Sequence, residues 1–153
     1  MVEGVQLIPL RRSEDERGWF MELMRASQLP LPVRQSNLVF SRKGVIRGLH
    51  YHERGQCDLF CCLQGMVRVV VLDRESGETF TEDIGDDNPV AVFIPGRHAH
   101  GYEALTDCLF LYHVTEEYDR EDPDEQEVPW NDPRVAHLWS TESPILSERD
   151  AVS

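Results

Sequence analysis

Between Val33 and Thr115 the chain breaks into eight short runs of strand-forming residues: "VRQSNLVFS", "VIRGLHYH", "DLFCCLQ", "MVRVVVLD", "ETFTEDI", "PVAVFI", "AHGYEAL" and "CLFLYHVT". Gly44, Gly55, Gly65, "ESGE" and "GDDNP" punctuate them. Each run has strand length, and no amphipathic stretch of helical length competes with it. Many short strands at this spacing predict an all-β sandwich or barrel rather than alternating β/α units. With 153 residues and no repeat or low-complexity tract, the chain reads as one domain over 1–153. The segment "EEYDREDPDEQEVPWNDP", 116–133, is too acidic and too broken by proline for a core element. It reads as a surface excursion, either a solvated loop or the rim of a site.

Composition narrows the function classes. No apolar run reaches the length of a membrane span, and "MVEGVQLIPL" lacks the basic and apolar regions of a secretion signal. The expected compartment is therefore the cytoplasm, without membrane partners. Cys57, Cys61, Cys62 and Cys108 form no paired CxxC units, and three of them crowd one strand, so reduced, buried thiols are expected. A net charge of −13 argues against binding nucleic acid, whose phosphates demand clustered Lys and Arg. The charge is uneven. Residues 1–54 carry nine Lys+Arg against six Asp+Glu (+3), and 55–153 carry six against 22 (−16). Composition favours a solvated basic face in the N-terminal part, and the alternative is a small anion met near Arg17, Arg34 and Arg47.

Side-chain alternation places Ile46, Gly48, His50 and His52 on one strand face, and Asp58, Phe60 and Cys62 on one face of another. A second pair, His98 and His100, follows the turn in "IPGRHAHGY". Together the two clusters give G-x5-H-x-H and, further on, P-x4-H, which resembles the two motifs of the cupin superfamily. The flanks are more specific. "DERGWFME", "RQSNLVFSRKGVIRGLHY", "IPGRHAHGY", "LFLYHVTEEYD", "VPWNDP" and "ILSERD" stand in the order found in dTDP-4-dehydrorhamnose 3,5-epimerases, and the resemblance covers about 5–150.

The resemblance implies a double-stranded β-helix jelly roll, a cupin-like barrel, usually homodimeric and needing no cofactor. It implies epimerisation of a nucleoside-diphosphate 4-keto-6-deoxy sugar at C3, C5 or both, through an enolate. Such chemistry needs a base for the α-proton and an acid on the opposite face. By resemblance the base is His50, with Asp150 as the carboxylate that orients it, and the acid is Tyr112. Arg47 and His100 match residues around the sugar. Arg17, Glu22, Gln35 and Asn37 match nucleotide and diphosphate contacts, some of them supplied across the dimer. Tyr118 matches the base-stacking rim, and Arg149 stands where a lysine near phosphate is common.

Two positions depart from the family pattern. Asp58 stands in the place of a lysine that helps stabilise the enolate, and His52 replaces a glutamine. An anion beside a developing oxyanion has the wrong sign, so turnover of a neutral sugar is expected to be poor or altered, and a sugar bearing a cationic group is one escape. The same departures open a second reading, a metal-holding cupin using His50, His52, Asp58 and His100. A third is a sugar-nucleotide binder without turnover. The first reading is preferred, with no bound metal, His52 as a supporting neighbour of His50, and His98, His113 and His137 as structural residues.

Overall fold

The computed structural model describes residues 2–147. In chain order its strands are β1 (Gln6–Pro9), β2 (Arg12–Asp15), β3 (Gly18–Met21), β4 (Gln35–Ser41), β5 (Ile46–Tyr51) and β6 (Cys57–Gln64). They continue with β7 (Met66–Leu72), β8 (Thr79–Gly85), β9 (Val90–Pro95), β10 (Ala99–Ala104), β11 (Cys108–Val114) and β12 (Gln126–Glu127). Among the described residues there is no α-helix, only single 3-10 turns at Ala26–Gln28 and Ala136–Leu138. All eight expected runs became strands, β4 to β11.

Two five-stranded antiparallel sheets, ordered β1-β9-β6-β11-β4 and β12-β5-β10-β7-β8, face each other as the expected jelly roll. The hairpin β2–β3 stands apart. Alternation explains the layering. Inward side chains of both sheets, among them Phe60, Val67, Val69, Val92, Ile94, Tyr102 and Phe110, form the central core. Outward residues of the first sheet (Leu59, Cys61, Ala91, Phe93) are covered by the N-terminal stretch through Leu10, Met21 and Met24. Those of the second (Leu49, Val70, Leu72) are covered by Val128, Val135 and Trp139 from the segment that follows the acidic excursion.

Within the core Tyr102 stacks on Phe110 with centroids 3.9 Å apart, and Phe60 meets Phe110 edge-on at 5.0 Å. These rings floor one half of the barrel and leave the other half open. As expected, all four cysteines are unpaired, and Cys61, Cys62 and Cys108 are buried. Burial pushes the Cys61 thiol up to about 12, so it is inert at neutral pH.

One face assignment needs correction. Ile46 does not share a face with His50, because it packs with Leu49 in the outer cluster, while Arg47 and His50 both line the barrel cavity. The cause is a bulge. Arg47 pairs with Tyr102 and His50 with His100, leaving Gly48 and Leu49 opposite Gly101 alone. Gly48 has φ +121°, and a Cβ there would sit 2.8 Å from both Gly101 Cα and His100 O. Only glycine fits, and the bulge is what turns His50 inward beside Arg47.

Candidate active site

The open half of the barrel holds a cavity of about 840 Å³, within the range of sites that enclose small organic ligands. Both sheets contribute to its wall. Gln35, Asn37, Asp58, Phe60 and Tyr112 come from the first sheet, and Arg47, His50 and His100 from the second. His52 and Gln56 stand in the turn between β5 and β6. The acidic excursion forms the rim, through Glu116, Glu117, Tyr118, Asp119, Asp122, Asp124 and Glu125.

His50 and His100 are direct cross-strand partners. On its other side β5 pairs with β12, which puts Glu127 opposite His50. Glu125 Oε1 lies 3.9 Å from His50 Nδ1 and Glu127 Oε1 lies 3.8 Å from Nε2. The excursion expected to be a loop or a rim is therefore a rim whose last strand stands beside the expected base. Tyr112, on β11, faces the same cavity from the opposite sheet. Burial, reinforced by Asp58 and Glu125, holds its phenol above the ordinary value, against the opposing Asn37 hydrogen bond and Arg47 charge. It therefore stays protonated at neutral pH, as a proton donor must.

Asp58 and His100 are buried together, with His100 Nε2 3.1 Å from Asp58 Oδ2. Burial opposes charge on both and is the largest single influence. Their mutual attraction, helped for Asp58 by His52 and Gln56 and for His100 by the His98 carbonyl and Glu125, outweighs it: Asp58 is held below the ordinary carboxylate value and His100 above the ordinary imidazole value. The Asp58 carboxylate thus does not stand naked in the cavity. His52, also buried, places Nε2 3.6 Å from Asp58 Oδ1, and burial, with repulsion from His100, pushes it down. Gln56 Nε2 donates to Asp58 Oδ1 at 3.0 Å and lies 3.2 Å from His52 Nε2.

Other expected residues divide into two groups. Gln35, Asn37, Arg47 and Tyr118 are all in the wall or rim. Gln35 donates to Asn37 at 3.0 Å and accepts the Tyr118 N–H at 2.9 Å, tying rim to wall. The Arg47 guanidinium donates to Ser41 Oγ at 2.9 Å and remains a permanent cation in the wall. Arg17 and Glu22, by contrast, lie on the surface away from the cavity lining, paired with Asp15 and Arg25. Arg149 and Asp150 lie outside the described residues; Ser147, the last one described, lines the cavity.

His98 and His113 match their structural reading, bound to Glu3 O at 2.8 Å and Ser36 Oγ at 2.7 Å. Sequence reasoning missed Gln56, Asp124 and Glu125. The Asp124 carboxylate accepts the backbone N–H groups of Glu53 (2.9 Å) and Arg54 (2.7 Å) and so fixes the turn carrying His52. The Asp–Pro–Asp signature of a turn was visible there, but not what the turn would cap.

A barrel cavity with a histidine and a tyrosine on facing walls is where comparison with known proteins becomes decisive. The family model described as dTDP-4-dehydrorhamnose 3,5-epimerase matches residues 1–153. The chain belongs to that family. The spore coat polysaccharide biosynthesis protein SpsL of Bacillus subtilis (strain 168) is 37% identical over 150 residues, covering 93% of this chain and 99% of that one. The crystal structure of the 3,5-epimerase RmlC from Legionella pneumophila, in complex with dTDP-4-keto-L-rhamnose, matches with a TM-score of 0.88 at 29% identity, covering 99% and 87%. ChmJ, a 3'-monoepimerase from Streptomyces bikiniensis solved with dTDP-quinovose, matches with a TM-score of 0.88 at 25% identity, covering 99% and 83%. The chain is thus a sugar-nucleotide epimerase-family protein with a jelly-roll fold. Among its described residues, no helix is long and apolar enough to cross a membrane.

Proposed function

We propose that this protein epimerises a nucleoside-diphosphate 4-keto-6-deoxy sugar at the carbon beside the ketone, by proton transfer through an enolate. One observation carries the reading: His50 and Tyr112 enter a single cavity from facing sheets. Inversion requires a base on one face of the sugar and an acid on the other. His50 removes the α-proton, and Tyr112, kept protonated by burial, returns one from the opposite side. Arg47 offers a fixed positive charge in the same wall for the enolate oxygen. Asp150 is the proposed orienting carboxylate for His50, supported by the arrival of Ser147 at the cavity.

The nucleotide end is assigned to Gln35, Asn37 and Tyr118 at the mouth. Arg17 and Glu22 reach a cavity only if they belong to a second copy of the chain, so a homodimer is part of the proposal. Leu38 and Phe40 on the edge strand β4, and Trp19 and Phe20 on the β2–β3 hairpin, are exposed apolar residues that such a contact would cover. The working compartment is taken to be the cytoplasm, where nucleotide sugars are made.

The test is product analysis. The protein is incubated with dTDP-4-keto-6-deoxyglucose, the mixture is reduced with borohydride, and the hexoses are separated. Epimeric 6-deoxyhexoses absent from a protein-free control are expected. Recovery of unchanged configuration alone, with tight binding of the nucleotide sugar, would instead establish a binder without turnover.

A further inference from the structure

We propose that His52, Asp58 and His100 form a binding site for one divalent first-row transition-metal ion in the wall of the cavity. The three side chains are buried, and one ligand atom from each lies within 4.8 Å of the other two. They come from both sheets: Asp58 on β6, His100 on β10, and His52 just past the end of β5. His50 is not a member of the set and stays with Glu125 and Glu127.

The hydrogen bonds behind the rings give the site its direction. His52 Nδ1 lies 2.7 Å from the backbone carbonyl of Asp124, and His100 Nδ1 lies 2.8 Å from that of His98. A carbonyl oxygen only accepts, so each Nδ1 carries the proton and donates it. Both Nε2 atoms then face Asp58, at 3.6 Å from Oδ1 and 3.1 Å from Oδ2. That of His52 offers a lone pair, while that of His100 donates a proton to the carboxylate, which passes to solvent when an ion takes its place. Histidines that hold metal are oriented in the same way, by an outer acceptor on the second ring nitrogen. With metal–ligand bonds of about 2.0–2.2 Å, tetrahedral ligand atoms stand roughly 3.4 Å apart, so these atoms, within 4.8 Å of one another, have to draw together to close on an ion. Gln56 bridges His52 and Asp58 through its amide N–H₂. Turning that amide over presents its oxygen as a fourth donor.

Two neutral imidazoles and one carboxylate around a divalent ion leave a net charge of +1 on a wall that faces the cavity. Nitrogen and oxygen donors of this kind favour zinc, cobalt, nickel or iron over magnesium or calcium. The ion's use as an electrophile for a ketone oxygen rests on the epimerase reading; its binding does not.

The experiment takes full-length protein stripped with a chelator and titrates it with Zn²⁺ by calorimetry in a non-coordinating buffer, with Co²⁺ absorption as a second probe. One equivalent per chain is expected, together with a visible Co²⁺ spectrum of nitrogen and oxygen ligation and a rise in Tm. Asp58→Asn and His52→Gln should each weaken binding at least tenfold, whereas His50→Ala should keep the full equivalent. Circular dichroism checks folding, and either folded variant suffices. No saturable uptake, uptake unchanged in the folded variants, or loss in His50→Ala would overturn the site. Uptake without epimerase activity would leave the site standing and remove the epimerase reading, and activity in stripped protein that takes up no Zn²⁺ would do the reverse.

Discussion

Replacing His50 by alanine removes one ring from the cavity wall and leaves the backbone pairing of β5 with β10 and β12 in place. If His50 is the base, loss of the α-proton should slow by about 10²–10⁴-fold, the usual worth of a positioned proton-transfer group, with the fold intact by circular dichroism. A rate within a fewfold of the wild type would assign the base elsewhere. Tyr112→Phe separates the second proton transfer from the first. The enolate can still regain a proton from the face that lost it, so exchange with solvent should survive better than formation of the epimer. Equal loss of both would mean that the ring packs and does not donate. Asp58 shows how far residue chemistry could be read from sequence. Its identity raised the problem of an anion beside an enolate. That it points at His100 and His52 depends on a turn held by Asp124, more than sixty residues further along the chain.

At the level of elements, β5 depends on a bulge that only glycine accommodates. Gly48→Ala would press a Cβ into two backbone atoms at a positive φ, costing roughly 1–3 kcal/mol for the conformation alone. A lowered urea midpoint is expected, with a further fall in kcat because Arg47 and His50 flank the bulge. A variant of unchanged midpoint would show that the bulge is not needed. The β4–β11 runs were legible because apolar alternation and glycine-rich turns are local signals. The parity of β5 was not, since the bulge is set by the close approach of Gly101 on another strand. Nor were β1 to β3, four residues each and mostly exposed, or β12, whose two residues take their strand geometry from β5 alone. Family resemblance pointed to Arg17, which lies away from the cavity, as well as to His50, His100, Arg47 and Tyr112, which line it. The rim residues that surround them are held by long-range pairing and were not.

For the whole molecule, pH acts through His113, which folding keeps from taking up a proton, and in the opposite sense through His100, which Asp58 holds above the ordinary value. His113 joins β11 to β4 through Ser36, and burial holds its imidazole below the ordinary value. The unfolded chain then takes up a proton that the folded chain refuses. Its contribution to stability is full above the unfolded value of about 6.5 and is lost as pH falls below it. Between pH 7 and pH 5, the Tm of wild type should fall more steeply than that of His113→Gln; parallel curves would contradict the assignment. The larger claim is that the two sheets bring a base and an acid to opposite faces of one sugar. Its most direct measurement is proton NMR of dTDP-4-keto-6-deoxyglucose in D₂O with the wild-type protein. The account predicts that the signal of at least one proton beside the ketone, at C3 or C5, disappears at a catalysed rate and that epimer carrying deuterium at that carbon accumulates. Full retention of both proton signals, in a sample where the protein is folded and the nucleotide sugar is bound, would contradict it.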